Sequence, residues 1–249
     1  MWDAGNFAAV AEKILDAGEA VVAAAGVEPG MEVLDVACGT GNATLPAART
    51  GARTVGLDFA PGLLEIARER AADAMVEIDF IEGDAQAMPF EDATFDRVVS
   101  TFGHMFAPDH RRTADEMKRV LKPGGVIAVA CWSANGAIGR MVRVTADLLP
   151  PPPGGEPPAL WGTEDHVREM WGDGVEFERR EIVWTDESVE SYAKFMLESF
   201  GPLLNARELL GEREGELDRA FRDFLERENE ADDGTLRFRG EYLLSVVRA

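Results

Sequence analysis

One segment of the sequence combines an apolar strand pattern, a carboxylate and a glycine-bearing turn. Residues 33–44 read Val-Leu-Asp-Val-Ala-Cys-Gly-Thr-Gly-Asn-Ala-Thr, and the carboxylate is that of Asp35. Gly39 and Gly41 lack side chains, so the backbone can turn tightly there and approach a ligand. A helix that begins after such a turn offers free N–H groups to a polar or anionic group. The segment therefore predicts a site for a nucleotide-like ligand.

Two more acidic residues stand where later strands are predicted to end. Asp58 closes the run Val-Gly-Leu-Asp at 55–58, and a carboxylate in that position can accept hydrogen bonds from both hydroxyls of a ribose. Asp84 lies in Gly-Asp-Ala at 83–85, where a carboxylate and backbone N–H groups can read the edge of an adenine. Three loops are therefore predicted to face one crevice.

Other nucleotide sites fit these residues less well. The dinucleotide pattern G-x-G-x-x-G requires a glycine where Thr44 stands, which leaves NAD-linked oxidoreduction as a minor alternative. The phosphate-loop pattern G-x-x-x-x-G-K-[ST] does not occur, so nucleotide hydrolysis is not indicated.

The segment 31–132 as a whole resembles the class I S-adenosylmethionine-dependent methyltransferases, in particular the branch that includes quinone-biosynthesis-type enzymes. That family carries D/E-x-G-x-G-x-G in the first loop, an acidic residue at the end of the second strand, G-D-A in the third loop and a P-G-G turn before the fifth strand. The corresponding positions here are 35–41, Asp58, 83–85 and 123–125. Ala37 replaces the first glycine of the pattern.

The resemblance implies S-adenosyl-L-methionine as the cofactor and a set of residues that bind it. Asp35 and the backbone around Ala37, Gly39 and Gly41 are expected to hold its methionine end, and Asp58 its ribose. Asp84 and Ala85 are expected at the adenine, and Phe59 is expected against the adenine face, with a place in the core as the alternative.

The loop after the fourth strand, 100–110, is expected to face the methyl acceptor. His104 is the candidate general base because an imidazole titrates near neutrality, and a packing role is the alternative. Two interpretations are open for four residues of this loop, a wall beside the methyl group of the cofactor or packing beneath the loop: Thr101, Phe102, Met105 and Phe106. In the first interpretation Thr101 is a cofactor-binding residue. A sulfonium carries its own leaving group, so methyl transfer requires alignment more than a catalytic triad.

The predicted function is methyl transfer to a small-molecule nucleophile that the sequence does not identify. An aromatic, quinone-like or otherwise partly apolar acceptor fits the tryptophans at positions 132, 161 and 171, which are expected to shape its pocket or stabilise a lid. A protein that binds the adenosyl cofactor without catalysis, in a regulatory or structural role, is the alternative.

Alternating strand and helix patterns predict the elements that position these residues. Strands are expected at 32–36, 54–57, 76–81, 95–100, 126–132, 175–184 and 235–247, and helices at 6–26, 43–50, 61–73, 110–121, 163–171, 188–200 and 203–229. The predicted fold class is α/β: a Rossmann-like, doubly wound, mainly parallel seven-stranded sheet with an N-terminal helix and a C-terminal helical lid insertion.

Four regions follow from this pattern. Residues 1–30 are expected to form an N-terminal helical cap, 31–149 the cofactor-binding core, 150–234 a connector and acceptor-binding lid, and 235–249 a final strand that returns to the sheet. The proline-rich stretch 149–158 either only connects these parts or passes over the active-site mouth.

Composition limits the partners. The net charge of −21 disfavours nucleic acid, and no apolar run reaches the length of a membrane span. Cys38 and Cys131 are far apart and form no Cys/His pattern, so neither a disulfide nor a metal site is expected, and Cys38 is interpreted as a small filler. Without a readable secretory signal, the expected location is the cytoplasm. No heptad pattern indicates an oligomeric state.

Overall fold

A twisted sheet of seven strands forms the centre of the structure, a computed structural model that describes residues 6–149 and 155–249. The strands are β1 Glu32–Val36, β2 Arg53–Asp58, β3 Asp79–Glu82, β4 Phe95–Thr101, β5 Leu121–Trp132, β6 Glu176–Asp186 and β7 Leu236–Arg248. Their order is β3-β2-β1-β4-β5-β7-β6, with β1 to β5 parallel and β7 antiparallel to both of its neighbours. This confirms the predicted α/β fold.

Helices cover both faces of the sheet. They are α1 Phe7–Ala11, α2 Leu15–Ala25, α3 Thr44–Arg49, α4 Pro61–Asp73, α5 His110–Val120, α6 Ala137–Leu148, α7 Glu164–Trp171, α8 Val189–Ser199, α9 Gly201–Leu210 and α10 Glu214–Glu228. Short 3₁₀ segments occupy Glu12–Ile14, His104–Phe106, Pro158–Gly162 and Gly211–Arg213.

The central strands are apolar because both of their faces are buried. Val33, Leu34 and Val36 of β1 and Val98 and Val99 of β4 have no exposed surface. The strand order reverses between β1 and β4, which opens a crevice at their carboxyl ends. The first four loops of the sheet therefore converge on one place.

The N-terminal helix pattern folds as α1, a 3₁₀ turn and α2. Gly26 ends α2 in the left-handed conformation, with φ 63°, which glycine adopts without steric cost. Gly18 lets α2 approach the first loop, since a Cβ at this position would lie 2.1 Å from the backbone oxygen of Asn42. The N-terminal cap is thus packed directly on the loop predicted to hold the cofactor.

The structure differs from the predicted elements in several places, among them the fifth strand, which begins at Leu121 rather than Val126. The third strand begins at Asp79 rather than Val76, because the Val76 N–H donates to the Ala71 carbonyl at the end of α4. The helix predicted over 203–229 is two helices, α9 and α10, separated at Gly211 where φ is 53°. Helix α6 was not predicted.

The segment between β5 and β7 contains α6 to α10 and β6. Helix α10 packs against α6 and α8, and Tyr192 of α8 is fully buried. Of the proline-rich stretch, residues 150–154 lie outside the described part of the chain. In the part described, no helix is both long and apolar enough to cross a bilayer.

Candidate active site

A cavity of about 480 Å³ opens where β1, β2 and β4 end. Its wall brings together most of the predicted site residues: Asp35, Ala37, Gly39, Asp58, Phe59, Asp84, Ala85, Thr101 and His104. Gly41 does not belong to the described wall. It shapes the turn instead, because its φ is 88° and its N–H donates to the Cys38 carbonyl at 2.9 Å.

The first loop turns through left-handed backbone conformations. Ala37 has φ 53° and Gly39 has φ 54°, although only the glycine adopts this region without steric cost. The Gly39 N–H donates to Asp58 Oδ2 at 2.8 Å, which joins the first loop to the end of β2. The loop after β4 touches the first loop as well, since a Cβ on Gly103 would lie 2.2 Å from the Ala37 oxygen.

Asp35 presents an unusual carboxyl group to this crevice. It is buried, and its Oδ2 accepts a hydrogen bond from Thr44 Oγ1 at 2.6 Å. Its Oδ1 is buried without a hydrogen-bond partner. Burial, reinforced by the negative charge of Asp58, raises the pKa of Asp35 to about 7. A cationic ligand group would satisfy this oxygen and stabilise the ionised form.

Backbone N–H groups fix the carboxylate of Asp58 at the end of β2. In addition to the bond from Gly39, Asp58 Oδ1 accepts one from the Ala60 N–H at 2.9 Å. The carboxylate is thereby held at the cavity wall in one orientation. Such a preorganised acceptor suits hydroxyl groups of a ribose.

The end of the crevice at Phe59 and Asp84 is open to solvent. Phe59 is 59% exposed at the rim, which leaves its ring face available to a flat ligand. Asp84 is exposed, and it accepts a hydrogen bond from the Gln86 N–H at 2.8 Å. Gln86 Oε1 in turn accepts from the Asp109 N–H at 3.0 Å, which connects the third loop to the start of α5.

His104 lies deep in the wall rather than at the cavity mouth. Its ring is fully buried, with Nε2 3.1 Å from Cys131 Sγ and its centroid 4.8 Å from that of Trp161 in an edge-on arrangement. Burial, together with nearby His110, lowers the pKa of His104 to about 3. The imidazole is therefore neutral at physiological pH and a weak proton acceptor.

Beyond the cofactor loops the cavity is predominantly apolar. Phe102 stacks on Trp132 with ring centroids 3.8 Å apart and parallel planes. Sequence reasoning missed the rest of this wall: Val10 and Ile14 at the N-terminus, Ile138 and Met141 of α6, Trp184 of β6, and Tyr192, Met196 and Phe200 of or beside α8. Trp132 lies in the wall as expected, whereas Trp161 and Trp171 pack behind it.

A few polar atoms lie just behind this apolar surface. Thr101 Oγ1, Trp184 Nε1 and the Tyr192 hydroxyl are buried without hydrogen-bond partners, and all three residues border the cavity. Burial raises the pKa of Tyr192, so its hydroxyl stays protonated. Such atoms are suited to hydrogen-bond a polar group on an otherwise apolar ligand.

Comparisons with known proteins agree with this geometry. The family described as "Methyltransferase domain" matches residues 33–125. An uncharacterized protein of Mycobacterium tuberculosis is 39% identical, and the alignment covers 98% of this chain and 91% of that protein. A demethylmenaquinone methyltransferase of Renibacterium salmoninarum is 46% identical over 45% of this chain and 46% of its own length.

A solved structure shares the fold over nearly the whole chain. The YcgJ protein of Bacillus subtilis has a TM-score of 0.64 at 16% identity, covering 94% of this chain and 97% of that one. The sheet order, the loop residues at its carboxyl edge and the family match lead to one conclusion. The chain belongs to the class I S-adenosylmethionine-dependent methyltransferases.

Proposed function

We propose that the protein transfers a methyl group from S-adenosyl-L-methionine to an uncharged, largely apolar small molecule. The observation that carries this proposal is the two-part cavity, which has carboxylates at one end and aromatic and aliphatic side chains at the other. The carboxylate end suits a ligand with an ammonium group and a ribose. The apolar end suits an acceptor with a large apolar surface, because burying that surface is favourable.

The cofactor residues have separate tasks in this proposal. Asp35 binds the ammonium group through its unpartnered Oδ1, and Asp58 binds the ribose hydroxyls. Asp84 and Ala85 face the adenine edge, and Phe59 covers its face. Gly41 contributes through the shape of the turn. When bound, the cofactor supplies a methyl group on a sulfonium, which is already activated for transfer.

The protein's remaining contribution is to exclude water and orient the acceptor. Phe102 and Trp132 form a rigid stacked surface, and the Tyr192 hydroxyl offers a hydrogen bond to an oxygen or nitrogen of the acceptor. A role of His104 as the general base stays a prediction. Because the pKa of its buried ring is low, His104 can accept a proton only from an acceptor group that is itself acidic.

The acceptor class can be narrowed by chemistry. The name of the Renibacterium salmoninarum relative makes a reduced quinone, a quinol, a sensible first acceptor to test. A quinol has a nucleophilic ring and hydroxyl protons that can be lost, and its apolar ring with polar oxygens matches an apolar wall that includes Thr101 and Tyr192. We therefore propose a quinone-like or other aromatic acceptor.

Calorimetric titration tests the cofactor class without knowledge of the acceptor. We expect S-adenosylmethionine and S-adenosylhomocysteine to bind and NAD not to bind. Asp58→Asn should weaken the binding of both at least tenfold, since a hydrogen bond to a charged group contributes about 1.5–3 kcal/mol. Asp73→Asn, an exposed carboxylate on α4, is the matched control and should bind normally.

Other results would change the assignment. Selective binding of NAD would favour an oxidoreductase. Tight cofactor binding without formation of S-adenosylhomocysteine, across a panel of quinones, phenols and amines, would favour a non-catalytic binding protein. Unchanged affinity in Asp58→Asn would remove the ribose assignment.

The acceptor side is tested by two further variants. Tyr192→Phe should leave cofactor affinity unchanged and raise the KM for the acceptor, because only the hydroxyl is lost. His104→Gln should abolish turnover if the imidazole accepts the proton, and should leave kcat nearly unchanged if the side chain only packs.

A further inference from the structure

All three histidines of the chain surround one tryptophan. The ring centroids of His104, His110 and His166 lie 4.8, 5.4 and 5.7 Å from that of Trp161. His110 begins α5, His166 lies in α7, and Trp161 lies in the 3₁₀ segment that precedes α7. Methyl transfer as proposed above uses neither His110 nor His166.

Two of these imidazoles and one carboxylate converge on a single point. His110 Nδ1 lies 2.9 Å from His166 Nε2 and 3.8 Å from Glu156 Oε2. The three ligand atoms all lie within 4.8 Å of one another. The two rings are buried, with exposures of 0% and 7%, while Glu156 opens the group to solvent.

We propose that His110, His166 and Glu156 bind one divalent transition-metal ion, for which Zn²⁺ is the reference case. Two imidazole nitrogens and one carboxylate oxygen are common ligands of such ions, and water would complete the tetrahedron. Ligand atoms about 2.1 Å from a common tetrahedral centre stand about 3.4 Å apart. Two of the separations, 2.9 and 3.8 Å, lie on either side of that value, and the third is within 4.8 Å, so side-chain rotations must bring the three atoms around one centre.

The surroundings of the two histidines favour metal binding. Burial lowers the pKa of both rings, so they are neutral at physiological pH and have a lone pair for a metal. Glu169 Oε2 lies 3.9 Å from Nδ1 of His166, on the side of the ring opposite the site. A carboxylate that accepts the second N–H of a ligating imidazole orients the ring and increases its basicity, and Glu169 would need to approach by less than about 1 Å to do so.

The ion would connect three segments at the mouth of the cavity: the start of α5, the segment at Glu156, and α7. Glu156 already connects to the loop before α5, because its N–H donates to the Pro108 carbonyl and its Oε2 accepts from the His110 N–H. Pro108 and Pro158, on either side of this connection, both border the cavity. The ion would therefore hold Glu156, near the end of the proline-rich stretch, against the loop after β4, without touching the transferred methyl group.

Metal titration of the full chain tests the site independently of methyl transfer. After chelator treatment, the protein should bind one Co²⁺ per chain with the visible absorption of a tetrahedral nitrogen–oxygen site, and Zn²⁺ should displace it. The titration is done with excess Mg²⁺ in the buffer, which occupies nonspecific cation sites on the acidic surface before Co²⁺ is added. His166→Gln and Glu156→Gln should each weaken Co²⁺ binding at least tenfold, and Zn²⁺ should raise the Tm of these two variants less than that of the wild type.

Two controls make the result decisive. Asp165→Asn removes a carboxylate adjacent to His166 that is 98% exposed, and it should bind Co²⁺ as the wild type does. Glu156→Gln retains an oxygen that can accept from the His110 N–H, so circular dichroism should show an intact fold. Absence of stoichiometric binding by the wild type, or wild-type affinity for Co²⁺ in both ligand variants, would overturn the proposal. The imidazoles would then form only a hydrogen-bonded pair.

Discussion

Asp35 is the residue whose environment departs furthest from that of a carboxyl group in water. Its pKa of about 7 means that the free protein holds a mixture of neutral and ionised Asp35 near neutrality. An ammonium group binds the ionised form better, and the two equilibria are therefore linked. This linkage makes cofactor affinity depend on pH in a range where few other carboxyl groups titrate.

We expect the affinity for S-adenosylhomocysteine to rise between about pH 5.5 and pH 7.5, approaching tenfold per pH unit below the pKa of Asp35. Asp35→Asn should bind weakly and without this slope. Calorimetry over the pH series measures both. A wild-type affinity that stays flat over this range would show that the ammonium group is bound elsewhere.

The same carboxyl group should influence stability in the opposite direction. Its folded pKa of about 7 is higher than the unfolded value of 3.8, so its contribution is complete below that unfolded value and is lost as pH rises through the folded one. Urea unfolding should therefore show the free energy of unfolding of the wild type decreasing between about pH 4 and pH 7 relative to Asp35→Asn. Parallel pH profiles for the two proteins would contradict the raised pKa.

Ala37 carries a steric cost that its family pattern avoids with glycine. A left-handed conformation costs an L-residue about 1–2 kcal/mol. Glycine avoids this cost, but it loses more backbone entropy on folding, and this loss offsets part of the gain in stability. Ala37→Gly should therefore increase the free energy of unfolding by roughly 0.5–1 kcal/mol. Ala93→Gly is the matched change at an exposed turn with φ 54° and should have a similar effect without altering cofactor binding. Destabilisation by both would indicate that the turns tolerate alanine without strain.

At the scale of elements, α2 packs closely against the first loop, with no room for a side chain at Gly18. Alanine is a better helix former than glycine, yet a Cβ on Gly18 would collide with the Asn42 backbone at 2.1 Å. Gly18→Ala should lower the free energy of unfolding by about 2 kcal/mol and weaken cofactor binding.

Gly215→Ala is the matched helical control for this change. Its Cβ would meet only the flexible end of Arg219, 3.7 Å away in α10, and stability should stay the same or rise by up to about 1 kcal/mol. Urea unfolding of both variants makes the comparison. If Gly18→Ala is as stable as the wild type, α2 must be able to move away from the loop.

The convergence of the residues proposed to bind the cofactor was predictable because they follow successive parallel strands. Asp35, Asp58 and Asp84 each stand at or beyond a strand end, and parallel strands bring their carboxyl ends to one edge. The acceptor half was not predictable in this way. Val10, Tyr192 and their neighbours come from distant helices whose apolar residues are indistinguishable in sequence from ordinary core.

Helix α6 and the histidine cluster show two further limits of sequence reasoning. Gly139 and several β-branched residues lower the helix propensity of 137–148, although the segment is helical when packed on α10. His110 and His166 are separated by 56 positions, so no short motif connects them. Their proximity follows only from the packing of α7 beside α5.

For the whole molecule, the charge of −21 is the dominant long-range feature. Its ion pairs are mainly at the surface, where each contributes about 0–1 kcal/mol and is screened by salt. Repulsion among the excess carboxylates should therefore outweigh them at low ionic strength. Raising NaCl from about 0.02 to about 0.5 M should shift urea unfolding to a higher midpoint. A lower midpoint would mean that the surface ion pairs stabilise the fold more than repulsion destabilises it.

The aromatic cluster beside the cavity has an optical consequence. Trp132, Trp161, Trp171 and Trp184 are all buried, and of the five tryptophans in the chain only Trp2 lies outside the described residues. Trp132 and Trp184 border the cavity, and their rings are 6.3 Å apart, close enough to exchange excitation energy. An aromatic acceptor seated against them should quench the intrinsic fluorescence, which gives an acceptor screen that requires neither a label nor turnover.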